Sequence, residues 1–263
     1  MNRHIILTSG RSGSNYLANT LNLHPQIVNF GEVLGSWTLP WKLSWPFRRM
    51  GTSMGRYLEY IYSSRLFFYV AQLYSSLSHV QKKKAVHFKR YSEVKSLGVK
   101  DFFINFELRD VFDFVVRQPE MSVIFLSRTN ILRRYLSMLH MQTSKQVLSE
   151  RGSINIHRLN IDIEHMLKAL ADIVIEVEKE KAMLDCLANA GHPILHLSYE
   201  VYFSSSESIS DTNCKVFEFL GLDSIEMQSD HRKILPESFE GIIENYREFT
   251  NALQGTVYEK YLL

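Results

Sequence analysis

Apolar positions follow two rhythms along the chain. Three short runs, His4–Thr8, Ser122–Ser127 and Pro193–Ser198, lie between turn residues without polar alternation. Helical patterns separate them, so they predict buried strands of a mainly parallel sheet. Ile27–Phe30 is a weaker fourth run. Between the runs, Tyr16, Leu17 and Leu21 share a helical face that Pro25 stops, Glu107 to Val115 fits a short helix, and Ile131 to Thr143 carries Leu132, Tyr135, Leu136 and Leu139 on one side. The longest stripe, Ile161 to Ala190, repeats Ile163, Met166, Leu170, Ile173 and Val177 at helical period, and Gly191 and Pro193 end it. Helices are also expected over Asn213–Leu220, stopped by Gly221, and over Phe239–Leu253. A strand-loop-helix start followed by repeated helices and strands predicts an α/β chain: a P-loop-like three-layer fold, its mainly parallel sheet flanked by helices.

The chain reads as a single domain over 1–263, with 35–90 set apart as an aromatic-rich helical insertion or acceptor-side cap. That segment holds all three tryptophans, Trp37, Trp41 and Trp45, and the run Lys82-Lys83-Lys84. Its most apolar stretch, Tyr57 to Leu77, is interrupted by Glu59, Arg65 and Gln72 and suits a helix better than a membrane span. Three roles fit its aromatic residues. They pack a core; they form a lid over an acceptor, since tryptophan faces stack on sugar rings; or, interleaved with Lys42, Arg48, Arg49 and Arg56, they make peripheral contact with a membrane surface.

Composition narrows the function. A hydrophobic share of 45 % is that of a packed globular protein, and 30 basic against 28 acidic residues, net +2, argue against a nucleic-acid partner. Cys186 and Cys214 are too few for a disulfide framework or a metal knuckle. The apolar run begins within four residues of Met1, leaving no room for a signal peptide, so a cytoplasmic protein with reduced thiols is expected.

The chemistry concentrates in Ser9-Gly10-Arg11-Ser12-Gly13-Ser14-Asn15, between the first strand and the first helix. At such a junction unpaired backbone N–H groups and the helix dipole both favour an anion, and phosphate is the natural occupant. Gly10 and Gly13 let the backbone curl, Ser12, Ser14 and Asn15 add neutral donors, and Arg11 adds a fixed charge. A serine- and glycine-rich turn without a ligand is the plainer alternative. A kinase-type P-loop requires G-x-x-x-x-G-K-[ST], and neither that spacing nor its lysine is present. The strand Ser122–Ser127 leads into Arg128, a cation suited to a second phosphate.

The loop Ser9 to Asn15, continuing through Tyr16 and Leu17, resembles the 5′-phosphosulfate loop of sulfotransferases that use 3′-phosphoadenosine-5′-phosphosulfate. Val123 to Arg128, continuing to Ser137, is similar to the 3′-phosphate motif of that family, and His24-Pro25 with Gly31-Glu32 to a segment of its bacterial, carbohydrate-type branch. Leu195 to Glu200, Phe219-Leu220-Gly221 and Ile243 to Leu253 look like its C-terminal part. The resemblance implies transfer of a sulfuryl group to a hydroxyl, with 3′-phosphoadenosine-5′-phosphate as the product and no metal required. It implies Glu32 as general base, Arg11 on the 5′-phosphate and the departing charge, and Ser12, Gly13, Ser14, Asn15 and Tyr16 as the cradle. Arg128 and Ser137 hold the 3′-phosphate, and Lys233 is a further donor contact. The implied acceptor is a hydroxyl-bearing small molecule, glycan or glycolipid. Two departures stand out. Arg11 occupies a place where aryl-type members carry lysine, and the spacing from Arg128 to Ser137 is one residue longer than in many members, so Arg133, on the helical face of Ser137, competes for the role of Arg128. A nucleotide-binding protein without transfer activity and a P-loop kinase are the alternatives. Among the histidines, His87 and His140 are candidate bases, whereas His196 is expected in the core. Tyr199-Glu200 fits either the Tyr-Glu pair of the family or a strand-end packing tyrosine.

Overall fold

The computed structural model describes residues 1–49, 53–81, 87–144, 158–225 and 238–262. Strand β1 (Asn2–Thr8) runs through the loop 9–13 into α1 (Ser14–Leu23) and then β2 (Ile27–Asn29). The aromatic segment contributes α2 (Leu39–Leu43), α3 (Trp45–Arg49), α4 (Met54–Ser63) and α5 (Arg65–Gln81). The chain continues as β3 (Ser96–Phe102), α6 (Phe103–Leu108), α7 (Phe112–Val116), β4 (Ser122–Ser127), α8 (Ile131–Ser144), α9 (Ile163–Asn189) and β5 (Ile194–Ser198). After these come α10 (Tyr199–Tyr202), α11 (Ser206–Phe219) and α12 (Tyr246–Leu253).

The five strands form one sheet in the order β2-β3-β1-β4-β5, and every pairing is parallel. The expected α/β class and P-loop-like architecture are therefore present. Strand β3 is an element the apolar pattern did not predict. It is buried almost throughout, yet its sequence, SLGVKDF, holds a glycine and two charges. Each has a structural reason. Gly98 lies under the ring of His4, whose carbons a Cβ would approach to 2.3 Å. His4 is fully buried and is held between Ser96 Oγ (2.8 Å) and Asn29 Nδ2 (3.1 Å). The Asn29 amide donates to Nε2, so Nδ1 carries the proton and donates to Ser96, and burial lowers the His4 pKa to about 3. Lys100 and Asp101 belong to the site described below.

Side chains alternate across the sheet, and each face has its own cover. On one side Ile6, Ile124, Leu126 and Leu197 meet α1, α10 and α11. On the other, Ile5, Leu7, Leu97, Val99 and Val123 pack on α4 to α7 and the end of α9. A third cluster joins α8, the first half of α9 and α12. The aromatic segment is thus part of the core through its inward face: Tyr57, Leu58, Ile61, Tyr62 and Phe68 are buried, a contribution on the order of 10 kcal/mol. The hydroxyl of Tyr62 donates to the His4 carbonyl at 2.9 Å, and that of Tyr57 to the Val33 carbonyl at 3.0 Å. At the exit of the segment the buried Lys89 ammonium donates to the carbonyls of Asn22 and His24, each at 2.7 Å, and to that of Ile27. These carbonyls surround the C-terminal end of α1, where the helix dipole also favours a cation.

Other boundaries shift for local reasons. The helix expected over Glu107 to Val115 is divided into α6 and α7 by Asp110, whose φ is 50°. The last expected helix starts only at Tyr246, because Ile243 forms a parallel bridge with Leu159. His196 is exposed rather than in the core: β5 is an edge strand, and the ring rests on Phe125 at 4.7 Å.

Substituting Gly98→Ala forces the His4 ring to move and breaks its two hydrogen bonds. Urea unfolding of this variant is expected to show a loss on the order of 2–4 kcal/mol. Adding His4→Ala removes the clash, so the double variant loses less than the sum of the two single changes.

Candidate active site

The carboxyl ends of the strands open onto a cleft of about 1100 Å³. Arg11, Glu32, Lys100, Arg128 and Ser137 all line it, together with Glu180 of α9.

The loop after β1 forms its floor. Gly13 adopts φ +83°, and a Cβ there would stand 2.6 Å from the Phe203 ring, so only glycine fits. As the N-cap of α1 it offers no side-chain acceptor, and the first turn contains no acid, which leaves the helix start electropositive. Ser12 is buried with its hydroxyl against that of Thr8, so its contribution to a ligand comes from its backbone. Tyr16 packs edge-on against Tyr202 and Phe203 at 5.8 and 5.2 Å and props the loop from behind. Gly10 differs from Gly13: a Cβ on it would meet nothing within 4 Å.

Arg11 takes a left-handed conformation, φ 67°, which costs a non-glycine residue about 1 kcal/mol or more. Two contacts hold it there. Its carbonyl accepts from Arg128 Nη1 at 3.0 Å, and its Nε donates to Ser137 Oγ at 3.0 Å. The three residues expected to hold the two ends of an adenosine bisphosphate therefore touch one another. The Arg128 guanidinium also lies 4.3 Å from the Tyr199 ring centre, and its buried Nε has no acceptor. Burial lowers the pKa of both arginines; for Arg128, Tyr199 and Glu200 oppose that shift while Arg133 and Arg11 add to it. Two half-buried cations with little countercharge suit an anion. Arg133 lines the same cleft but lies 4.1 Å over Phe239. Glu200 caps α8: its carboxylate accepts from the amides of Thr129 (3.1 Å) and Asn130 (3.0 Å). Burial alone raises its pKa, but these amides outweigh burial and hold it below the ordinary value.

Glu32 stands across the cleft, after β2. One of its oxygens is paired with the ammonium of Lys100, whose side chain is almost wholly buried, and the other accepts from Trp37 Nε1 at 2.8 Å. Its position is fixed by Asp101. The buried Asp101 carboxylate accepts from the amides of Val33 (2.9 Å), Leu34 (2.7 Å) and Phe102 (2.9 Å) and from Asn105 Nδ2 (2.5 Å), pinning the chain beyond Glu32 to the end of β3. Burial raises the Asp101 pKa, and the bonds from Asn105 and those amides oppose it. Sequence reasoning missed Lys100 because it missed β3; the signal was a lysine and an aspartate inside a segment of strand length.

A second carboxylate was also missed. Glu180 of α9 is buried beside the Ser9 side chain, 4.0 Å from Arg134 Nη2, while Arg134 pairs with Glu176. Among the described residues no group of histidine, cysteine, aspartate and glutamate is arranged to hold a metal ion. His87 and His140 do not line the cleft. Lys233, the further donor contact, lies outside the described residues.

Burial moves the Glu180 carboxyl from the ordinary 4.5 up to about 7, with Arg134 opposing and Glu176 adding to the shift. The folded state then holds this proton more tightly than the unfolded chain, so the stabilisation is complete below the ordinary value and is lost as the pH rises through about 7. Glu180→Gln does not titrate. In urea unfolding it is expected to gain on the order of 2 kcal/mol over the native chain at about pH 8 and much less at about pH 5.

No family model and no curated protein matches the chain. Among solved structures it is similar to a sulfotransferase from Alicyclobacillus acidocaldarius, with 11% sequence identity over 100% of this chain and 94% of that chain, and a TM-score of 0.45.

Proposed function

We propose that this chain is a sulfotransferase that takes a sulfuryl group from 3′-phosphoadenosine-5′-phosphosulfate and moves it to a hydroxyl, on a carbohydrate or glycolipid. The observation that carries this reading is the contact of Arg11 with both Arg128 and Ser137 in one cleft, over the start of α1. Two anion-holding groups side by side suit a ligand with phosphates on the 3′ and 5′ oxygens of one ribose. The residues fit such a ligand on two further counts: the open space above Gly10 and the buried Arg128 Nε without an acceptor. When bound, the donor supplies the sulfuryl group and leaves as the bisphosphate.

The work of the protein's own residues is positioning and electrostatics. Arg11, with the loop amides of Ser12 to Asn15, holds the 5′-phosphate and meets the charge that builds on it. Arg128 and Ser137 hold the 3′-phosphate. Glu32 takes the proton of the acceptor hydroxyl as the new O–S bond forms and the S–O bond to phosphate breaks. Lys100 orients that carboxylate and adds positive charge beside the group in transit. The Trp37 ring, with Phe102 at 6.3 Å, supplies an aromatic wall on the acceptor side.

Glu32→Gln is expected to leave affinity for 3′,5′-adenosine bisphosphate within about twofold and to lower turnover by roughly 10²–10⁴, measured with labelled donor. Unchanged turnover removes Glu32 from the role. In a thermal-shift panel, 3′,5′-adenosine bisphosphate should raise the unfolding temperature far more than AMP or magnesium-ATP. Arg128→Ala is expected to weaken the bisphosphate about 10–100-fold and AMP, through the loop that Arg128 braces, by a clearly smaller factor. Equal losses for both nucleotides, or a preference for magnesium-ATP, would overturn the assignment.

A further inference from the structure

The cleft has two sides. In the sheet order β2-β3-β1-β4-β5, Arg128 lies beyond β4 and Ser137 on the helix after it, whereas Glu32 and Lys100 lie beyond β2 and β3, on the other flank of the loop after β1. Helix α9 is tied to both sides, to α8 through Glu176 and Arg134 and to α6 through Lys179 and Glu107 at 2.7 Å. The whole opening, about 1100 Å³, is larger than the roughly 300–1,000 Å³ that one small ligand fills.

Where α6, α8 and α9 meet, the lining is apolar. Ile104 of α6, Ile175 and Met183 of α9 and Met138 and Met141 of α8 face the cleft, and Trp37 stands at its Glu32 end. Ile104, Ile175 and Trp37 are 43, 56 and 59 % exposed. Scattered over a convex surface such residues need no explanation, but here they line one concavity and stay uncovered. The charged groups between them are already engaged: Glu107 with Lys179, Glu176 with Arg134, Glu180 with Ser9, and Glu32 with Lys100 and Trp37. Among the described residues no asparagine or glutamine of these three helices lines the cleft, so the helices offer no set of open amides to read the hydroxyls of a sugar.

We infer that the acceptor is an amphipathic alcohol whose alkyl chain lies between α6, α8 and α9 while its hydroxyl reaches Glu32 beside the Trp37 ring. Three unbranched methionine side chains suit a flexible chain, to which they can adapt, better than a rigid ring system. The inference rests on the proposed transfer to a hydroxyl and adds the chemical class of the molecule that carries it.

The test is titration calorimetry of the full chain with methyl, butyl, hexyl and octyl glucoside below the micelle concentration, with and without 3′,5′-adenosine bisphosphate. From butyl to octyl the affinity is expected to rise about threefold per added CH₂ group, and saturating bisphosphate should leave it within about threefold. Ile104→Gln and Ile175→Gln, both at exposed helical positions, should each weaken octyl glucoside about fivefold or more. They should leave the bisphosphate within about twofold and the unfolding temperature unchanged. With labelled donor the same variants should raise KM for octyl glucoside at unchanged kcat. The proposal falls if octyl glucoside binds no tighter than methyl glucoside, or if the dependence on chain length survives both substitutions. It falls equally if the bisphosphate displaces octyl glucoside, since the apolar side then belongs to the donor. A protein that binds octyl glucoside in this way but not the bisphosphate keeps the alkyl site and loses the donor, and the opposite result keeps the donor and removes the alkyl site.

Discussion

Five strands that all run the same way put five carboxyl ends on one edge of the sheet, and most groups of the candidate site follow from that constraint, Ser137 of α8 and Glu180 of α9 being added from helices. The loop with Arg11 leaves β1, Glu32 follows β2, Lys100 and Asp101 close β3, Arg128 follows β4 and Tyr199 follows β5. A charge brought to such an edge is partly withdrawn from water and must find a partner. Most do so locally. Lys100 meets Glu32, Arg134 meets Glu176, and Asp101 collects amide donors. Arg11 and Arg128 are different, because each is half-buried and the contact between them joins a guanidinium to a carbonyl rather than to a carboxylate. The unbalanced charge of the cleft sits where the phosphates of the proposed donor would lie.

The anion loop and Arg128 are also mechanically one unit. The left-handed backbone at Arg11 is held open by the Arg128 side chain, and the ring of Phe203 stands where any side chain on Gly13 would have to go. Little rearrangement is left for a ligand to induce. A loop of this kind keeps its geometry before any ligand arrives, which is what electrostatic catalysis in the proposed reaction would require.

How much of this was legible in the sequence depended on whether a residue's role was local. β1 and β4 were visible as continuous apolar runs because helices cover both sheet faces over most of their length, and β5 because Ile194, Leu195 and Leu197 are apolar although only Leu197 is buried. The loop was visible because its glycines and serines sit between a strand and a helix, and Glu32 because it follows a short strand at once. β3 was hidden because its lysine, aspartate and glycine answer to distant partners: Glu32, the amides after Glu32, and His4. Glu180 was hidden in the same way, on a helix whose apolar stripe reads equally well with or without it. The two sides of α5 are apolar alike, so periodicity could not say which one faces the core.

The grip of Lys89 on the carbonyls around the end of α1 places the aromatic segment and the anion loop at opposite tips of a single strut. That strut is ten residues long, roughly 15 Å of stiff backbone. The tether reaches the loop after β1 lengthwise through a helix rather than sideways through the sheet. One lysine thereby fixes how far the aromatic segment stands from the start of the helix.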